Sequence, residues 1–176
     1  MKHILFPITY DCNLNCEFCA VKGTTSLIDI QESLDSLRTK IGLVEWVYIT
    51  GGEPFMVEDL PSVCDQIRSM GFKVGVTTNG TFFRPEIASH ADRIGISLDG
   101  DKGYHDAYRG AGVFDSAVNL FNAIKDQCET VIMSTAFKGN GEALEKLKPI
   151  VEGMDPTYWQ LTKDIHDKKT VQIPQF

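Results

Sequence analysis

With 176 residues, 43% of them hydrophobic and 23% charged, the chain has the size and composition of one soluble domain with a sizeable core. A formal net charge of −7 excludes a protein that grips nucleic acid through its overall field, because such proteins cluster Lys and Arg. No run reaches the ~20 apolar residues of a membrane span, and the apolar stretch before Pro7 is too short for a secretory signal, so no membrane partner is expected.

Ile4 to Thr9 is a short apolar run and reads as a first strand. Gly23-Thr24-Thr25-Ser26 then breaks the chain. Leu27, Ile30, Leu34, Leu37 and Ile41 recur at steps of three and four, which predicts a helix with one buried stripe, capped by Gly42. Trp46 to Thr50, aromatic and β-branched, is a second strand that runs straight into Gly51-Gly52-Glu53-Pro54. Leu60, Val63, Ile67 and Met70 mark a second helix, with Pro61 in its first turn and Gly71 past its end. Phe72 to Thr78 is a third strand ending at Asn79-Gly80, and a short helix starts near Pro85. Arg93 to Leu98 is a fourth strand ending at Asp99-Gly100, and Asp101 to Gly112 reads as a long polar loop. Phe114, Ala117, Val118, Phe121 and Ile124 mark a helix, and Thr130 to Ala136 a fifth strand. Leu144, Leu147, Ile150 and Val151 mark a further helix, bent or started late by Pro149. Thr157 to Leu161 is a sixth strand, and from about residue 162 the tail is irregular.

Strand and helix alternate six times, so the sheet should be parallel with right-handed crossovers. A closed eight-fold barrel usually needs ~250 residues. One α/β domain over residues 1–176, an open partial (β/α)6 barrel of TIM type with parallel strands, fits the length better. Polar and Gly-rich segments follow strands one to four and so converge on one edge of the sheet, where such folds build their sites.

The stretch Tyr10 to Cys19 carries the chemistry. Cys12, Cys16 and Cys19 fall within eight residues, with Phe18 directly before the third thiol. A cubane iron–sulfur cluster takes one thiolate per iron and wants four. Here the sequence offers three. Zinc is the competing metal, but structural zinc wants four ligands at paired spacings, and His3, His90, His105 and His166 are scattered. Inert thiols are the other alternative, and the interleaved Asp11, Asn13, Asn15 and Glu17 argue for an exposed loop instead. Cys64 and Cys128 lie inside apolar patterns and read as small buried residues. Five Cys so arranged do not make a disulfide framework, so a reducing, cytoplasmic location is expected. A 4Fe–4S cluster on three thiolates leaves one iron open to a further ligand.

Cys12-x3-Cys16-x-Phe18-Cys19 resembles the signature of the radical S-adenosylmethionine (radical SAM) enzymes. The resemblance implies a 4Fe–4S cluster whose open iron is chelated by S-adenosylmethionine (SAM). It also implies reductive cleavage of SAM to methionine and a 5′-deoxyadenosyl radical that abstracts hydrogen from a substrate. The likeness continues loop by loop. Gly51-Gly52-Glu53-Pro54 looks like the family's GGEP motif at the methionine end of SAM. Two glycines let backbone approach a ligand, and backbone carbonyls with Glu53 can accept from the SAM ammonium. Thr78 and Asn79, in Thr77-Thr78-Asn79-Gly80, are similar to the family's TNG element, although an Asn-Gly turn explains each residue equally well. Ser97-Leu98-Asp99-Gly100 resembles the fourth-strand segment that bonds the ribose hydroxyls, a role that falls to Ser97 and Asp99. The segment from Asp106 through Arg109 to Phe114 looks like one found in the peptide-modifying and pyrroloquinoline-quinone-type branch. Arg109 would pair there with a carboxylate, that of SAM or that of Asp106. Ser134 and Gln160 sit where the family contacts adenine.

No Cys-rich extension follows the sixth strand, so no auxiliary-cluster domain is expected, and a partner or a second copy could close the open barrel. The resemblance implies a low-potential electron donor of the flavodoxin or ferredoxin type. It tilts the substrate toward a peptide or protein side chain, acted on without a protein acid or base in the radical step. The short core leaves open a glycyl-radical-enzyme activase and a small-molecule enzyme of deazapurine type. A non-catalytic iron–sulfur carrier or scaffold is the reading of another class, but a carrier needs four cluster ligands and no mouth for a ligand.

Overall fold

The computed structural model describes residues 2–137 and 139–163. Strands β1 (His3–Thr9), β2 (Trp46–Gly51), β3 (Lys73–Thr78), β4 (Arg93–Ser97), β5 (Glu129–Ala136) and β6 (Tyr158–Lys163) form one sheet in that order. Every neighbouring pair is parallel. With β1 and β6 as its two edges, the sheet is the open six-stranded partial barrel that the alternation of elements predicts.

The crossovers are made by α1 (Ile30–Arg38), α2 (Leu60–Ser69), α3 (Lys102–Arg109), α4 (Val113–Ile124) and α5 (Gly141–Met154). Between β3 and β4 the only regular element is the 3-10 turn Pro85–Ser89. Alternation along the strands sends Val47, Ile49, Val74, Val76, Ile94 and Ile96 to the helix-covered face, where each is buried. Leu34, Leu60, Ile67, Phe121, Leu144 and Leu147 meet them from the helices. Burying each of these side chains stabilises by about 1.5–3 kcal/mol, an upper figure because the unfolded chain already hides part of its apolar surface.

Several elements differ from the sequence reading. α1 begins at Ile30 because Asp29 caps it, its carboxylate accepting the Glu32 N–H at 2.9 Å. Leu27 therefore lies before the helix and is 100% exposed, and Ile41 lies after its end. The expected polar loop Asp101 to Gly112 is largely α3. That helix carries aromatic rings rather than an aliphatic stripe, with Tyr104 stacked on Tyr108 one turn later at 4.6 Å between centroids. Pro149 does not delay α5, which starts at Gly141 and holds the proline inside it. Pro149 and Glu145 are both on the exposed side, so the carbonyl that the proline leaves unpaired faces water. β6 extends through Lys163, and residues 164–176, with His166 and the rest of the expected tail, lie outside the described residues.

The other face of the sheet looks inward. Register places Leu5, Tyr48, Gly75, Arg93 and Glu129 in one layer across β1 to β5. Gly75 makes room for the Tyr48 ring, since a Cβ there would fall under 3.0 Å from two ring carbons. We expect Gly75→Ala to cost about 1–3 kcal/mol through this overpacking. Urea unfolding reads it, and an unchanged midpoint would show that the ring does not lie against the glycine.

Candidate active site

The site starts from backbone. The β1–β2 register slips between Pro7 and Thr9, a bulge that turns the end of β1 into the Cys loop. There the Gly52 N–H donates to the Thr9 carbonyl at 2.7 Å and the Glu53 N–H to the Asp11 carbonyl at 2.8 Å. A Cβ on Gly51 or Gly52 would sit under 3.0 Å from those carbonyl oxygens, and Gly51 also has φ 140°. Glycine is required at both positions.

Glu53 then ties three loops together. It is 1% exposed. One carboxylate oxygen accepts the Phe55 N–H at 2.9 Å and the Thr78 hydroxyl at 2.7 Å, and the other accepts the Asn79 N–H at 2.7 Å. Burial pushes its carboxyl above the ordinary range, and these bonds pull it back. Asn79 carries the network onward, its amide donating to Asn13 Oδ1 at 3.0 Å and to Cys12 Sγ at 3.9 Å. Pro54 is buried and opens the short turn Pro54–Met56 rather than facing the cavity.

The fourth loop brings a cation. Arg109, at the end of α3, bonds Asp99 through Nε at 2.6 Å. Its partner within the chain is thus Asp99 rather than Asp106, while Asp106 accepts the Gly112 and Phe114 N–H groups at 3.1 and 2.8 Å and caps α4. Asp99 is 0% exposed, and its second oxygen accepts the Thr135 N–H at 2.7 Å. Both its oxygens are thus engaged within the chain, and Asp99 is not among the residues lining the thiol cavity. Losing one member of such a buried pair costs about 3–5 kcal/mol. The Arg109 guanidinium also lies 5.3 Å from the Phe18 ring centroid, and Phe18 stacks on Phe137 at 5.1 Å. Behind them His105 Nδ1 accepts the Asp99 N–H at 3.1 Å. Burial, with the Arg109 charge, lowers this imidazole to about 4, so it is neutral and able to accept. Ser134 is likewise spent within the chain, donating to the Leu98 carbonyl and accepting from Trp159 Nε1 at 2.9 Å. Its side chain is buried.

Cys12, Cys16, Cys19, Phe18, Gly51, Gly52, Glu53, Thr78, Asn79, Ser97 and Arg109 all line one cavity of about 130 Å³. A second cavity of about 230 Å³ within the Cys loop reaches the same three thiols. Burial raises the Cys12 and Cys16 thiols, and the Arg109 charge opposes that rise at Cys16. Among the described residues no three His, Cys, Asp or Glu side chains close on a point fit for a single ion. Leu14, Thr50 and Thr77 also line the cavity and were not singled out by residue type. Thr50 and Thr77 follow the inward Tyr48 and Gly75 by two residues, so strand period was their signal. Leu14 had none. Gln160 lines the barrel interior below.

The pattern of the Radical SAM superfamily matches residues 6–152. The chain belongs to the radical SAM superfamily. That superfamily characteristically uses SAM and a 4Fe–4S cluster. This radical SAM chain is 27% identical over 173 residues to the AdoMet-dependent heme synthase of Nitratidesulfovibrio vulgaris, covering 91% of this chain and 47% of that protein. It is 26% identical over 163 residues to the Fe-coproporphyrin III synthase of Methanosarcina barkeri, covering 85% of this chain and 40% of that protein. The chain thus spans under half the length of these two curated relatives. Among solved structures, Streptococcus suis SuiB superposes with TM-score 0.80 at 17% identity, over 99% of this chain and 42% of SuiB. The enzyme anSMEcpe with bound AdoMet superposes with TM-score 0.76 at 17% identity, over 93% of this chain and 51% of its own. These likenesses establish the shared partial-barrel fold. Among the described residues no helix is long and apolar enough to cross a membrane.

His105 gives a pH test. Its folded value of about 4 lies below the ordinary 6.5, so its contribution is present above pH 6.5 and lost as pH falls through 4. Between those values the wild-type unfolding midpoint should fall more steeply than that of His105→Gln, which keeps an acceptor but does not titrate. Equal slopes would mean that the imidazole is not held neutral.

Proposed function

We propose that the chain is a radical SAM enzyme in which Cys12, Cys16 and Cys19 hold a 4Fe–4S cluster and the adjoining cavity takes SAM. One observation carries this reading: three thiols and the Gly51-Gly52-Glu53 backbone meet at one cavity, with no fourth thiol among its lining residues. Cys64 is buried in α2 and Cys128 precedes β5, both packed with the core. When bound, the reduced cluster supplies the electron that cleaves SAM to methionine and the 5′-deoxyadenosyl radical that takes a hydrogen atom from substrate.

The chain's own residues bind, orient and shield. Gly51 and Gly52 line the cavity without side chains and leave room for the amino-acid end of SAM. Glu53 has used three of its four lone-pair sites, and the fourth can accept from the SAM ammonium. Arg109 spends Nε on Asp99, and its terminal nitrogens offer donors to the SAM carboxylate. Ser97 offers a hydroxyl for the ribose, while Phe18 and Leu14 exclude water. Thr78 and Asn79 act by holding Glu53 and Cys12. A donor of the flavodoxin or ferredoxin type would supply the electron.

We favour a peptide or protein side chain as substrate, from the resemblance to the peptide-modifying branch. Within that segment Asp106 serves the α3–α4 corner, so the motif bears on how Arg109 is presented more than on substrate. A small-molecule substrate is the second reading, and the heme-type relatives matching 85% and 91% of the chain favour it.

Anaerobic reconstitution, dithionite reduction and chromatography after adding SAM test the proposal. Wild type should carry about four irons per chain and release 5′-deoxyadenosine, and Cys16→Ala should lose the cluster and at least about 100-fold of the product. A fully loaded wild type that releases none under any reductant sinks the enzyme reading.

A further inference from the structure

We infer that the barrel interior below the SAM cavity takes the carboxylate end of the substrate, with Arg93 as its anchor; this deepens the function proposed above and rests on it. A cavity of about 380 Å³ occupies the inward face of the sheet. It shares Thr50 and Thr77 with the thiol cavity, so the two spaces adjoin at these residues. Its volume lies within the ~300–1,000 Å³ typical of small-molecule sites. Leu5, Val131 and Met133 give it apolar walls. Gly95 makes room across β4 for the Met133 side chain, since a Cβ there would fall under 3.0 Å from its sulfur.

The floor of this space is a caged cation. The Arg93 guanidinium lies 4.0 Å from the Trp46 ring centroid and 5.1 Å from that of Tyr158, and its side chain is 13% exposed. It donates from Nη1 to the Tyr48 hydroxyl at 2.6 Å and from Nε and Nη2 to one oxygen of Glu129. Three of five N–H groups are thereby used. One remains on each terminal nitrogen, the pair that a carboxylate takes in bidentate fashion. Guanidinium is weakly hydrated and tolerates such an apolar setting. Glu129 balances the Arg93 charge, so the floor offers directional donors rather than net positive charge, and a singly charged carboxylate is less penalised there than a doubly charged phosphate.

Spacing limits the ligand further. Arg93 and Ser97 are four residues apart on β4, about 13 Å of strand, and the Arg93 guanidinium stays in the layer of Tyr48 and Glu129 and over Trp46. The substrate is therefore an acid whose reacting carbon stands several bonds from its carboxylate. A free small acid and an acidic peptide side chain share this chemistry.

Ligand-observed NMR on the reconstituted full chain separates them. One pair of probes is 3-phenylpropionate and 3-phenylpropanamide, and the other is acetylated, amidated Gly-Glu-Gly and Gly-Gln-Gly. In at least one pair the acid should bind at least about ten-fold tighter than its amide, and that pair names the source. Arg93→Gln should bring the ratio near one, and Met133→Trp, which fills the space, should abolish binding. If circular dichroism shows Arg93→Gln unfolded, Arg93→Lys decides, because it keeps the charge without the fork and should lose most of the preference. Equal binding of acid and amide in both pairs, no binding of either, or a preference that survives these Arg93 changes overturns the inference. Wild type that cleaves SAM without preferring acids refutes this site alone, and wild type that prefers acids without cleaving SAM refutes the enzyme reading alone.

Discussion

Two backbone hydrogen bonds, Gly52 N–H to the Thr9 carbonyl and Glu53 N–H to the Asp11 carbonyl, are the constraint on which the rest of the site depends. They continue the β1–β2 pairing beyond the strands and fix where the Cys loop departs. Because the carbonyl oxygens stand where a Cβ would be, glycine at 51 and 52 decides whether the loop can lie there. Glu53 then converts a two-loop seam into a three-loop one by reaching Thr78 and the Asn79 N–H, and Asn79 returns to the Cys loop at Asn13 and Cys12. The closed circuit holds the thiols in place before any ligand arrives, which lowers the ordering cost of binding.

The two cavities of the inward face follow one electrostatic plan. Each has a buried arginine held by one carboxylate, Arg109 by Asp99 beside the thiols and Arg93 by Glu129 at the floor. In both, Nε is spent on the carboxylate while the terminal nitrogens keep donors to offer. Both guanidinium groups also lie over aromatic rings, Phe18 for Arg109, and Trp46 and Tyr158 for Arg93. Each arginine thus presents directional donors at a point where an anionic group of SAM or substrate would meet them.

The order of strands, the open barrel and the convergence of the Cys and GGEP loops were legible because they depend on period, residue type and chain order. The intrachain partners of Asp99 and Ser134 were not. An Asp or Ser beside a strand end has the same type whether it faces a ligand or its own neighbours, and only the three-dimensional packing shows that Asp99 bonds Arg109 and Thr135 and that Ser134 bonds Leu98 and Trp159. The helix α3 was hidden because its packing face is made of tyrosines rather than an aliphatic stripe. Arg109 was found by motif, but its partner could not be chosen between carboxylates before the α3–α4 corner was seen. Arg93 carried no motif at all, and its place on the floor follows only from the register of β3, β4 and β5.

The central claim is that SAM binds directly against a cluster held by Cys12, Cys16 and Cys19. Electron paramagnetic resonance of the reduced, fully loaded chain with and without SAM tests it most directly. The account predicts that SAM changes the g-values of the cluster signal, because a new ligand reaches the iron that lacks a thiolate. A signal that saturating SAM leaves unchanged would contradict it.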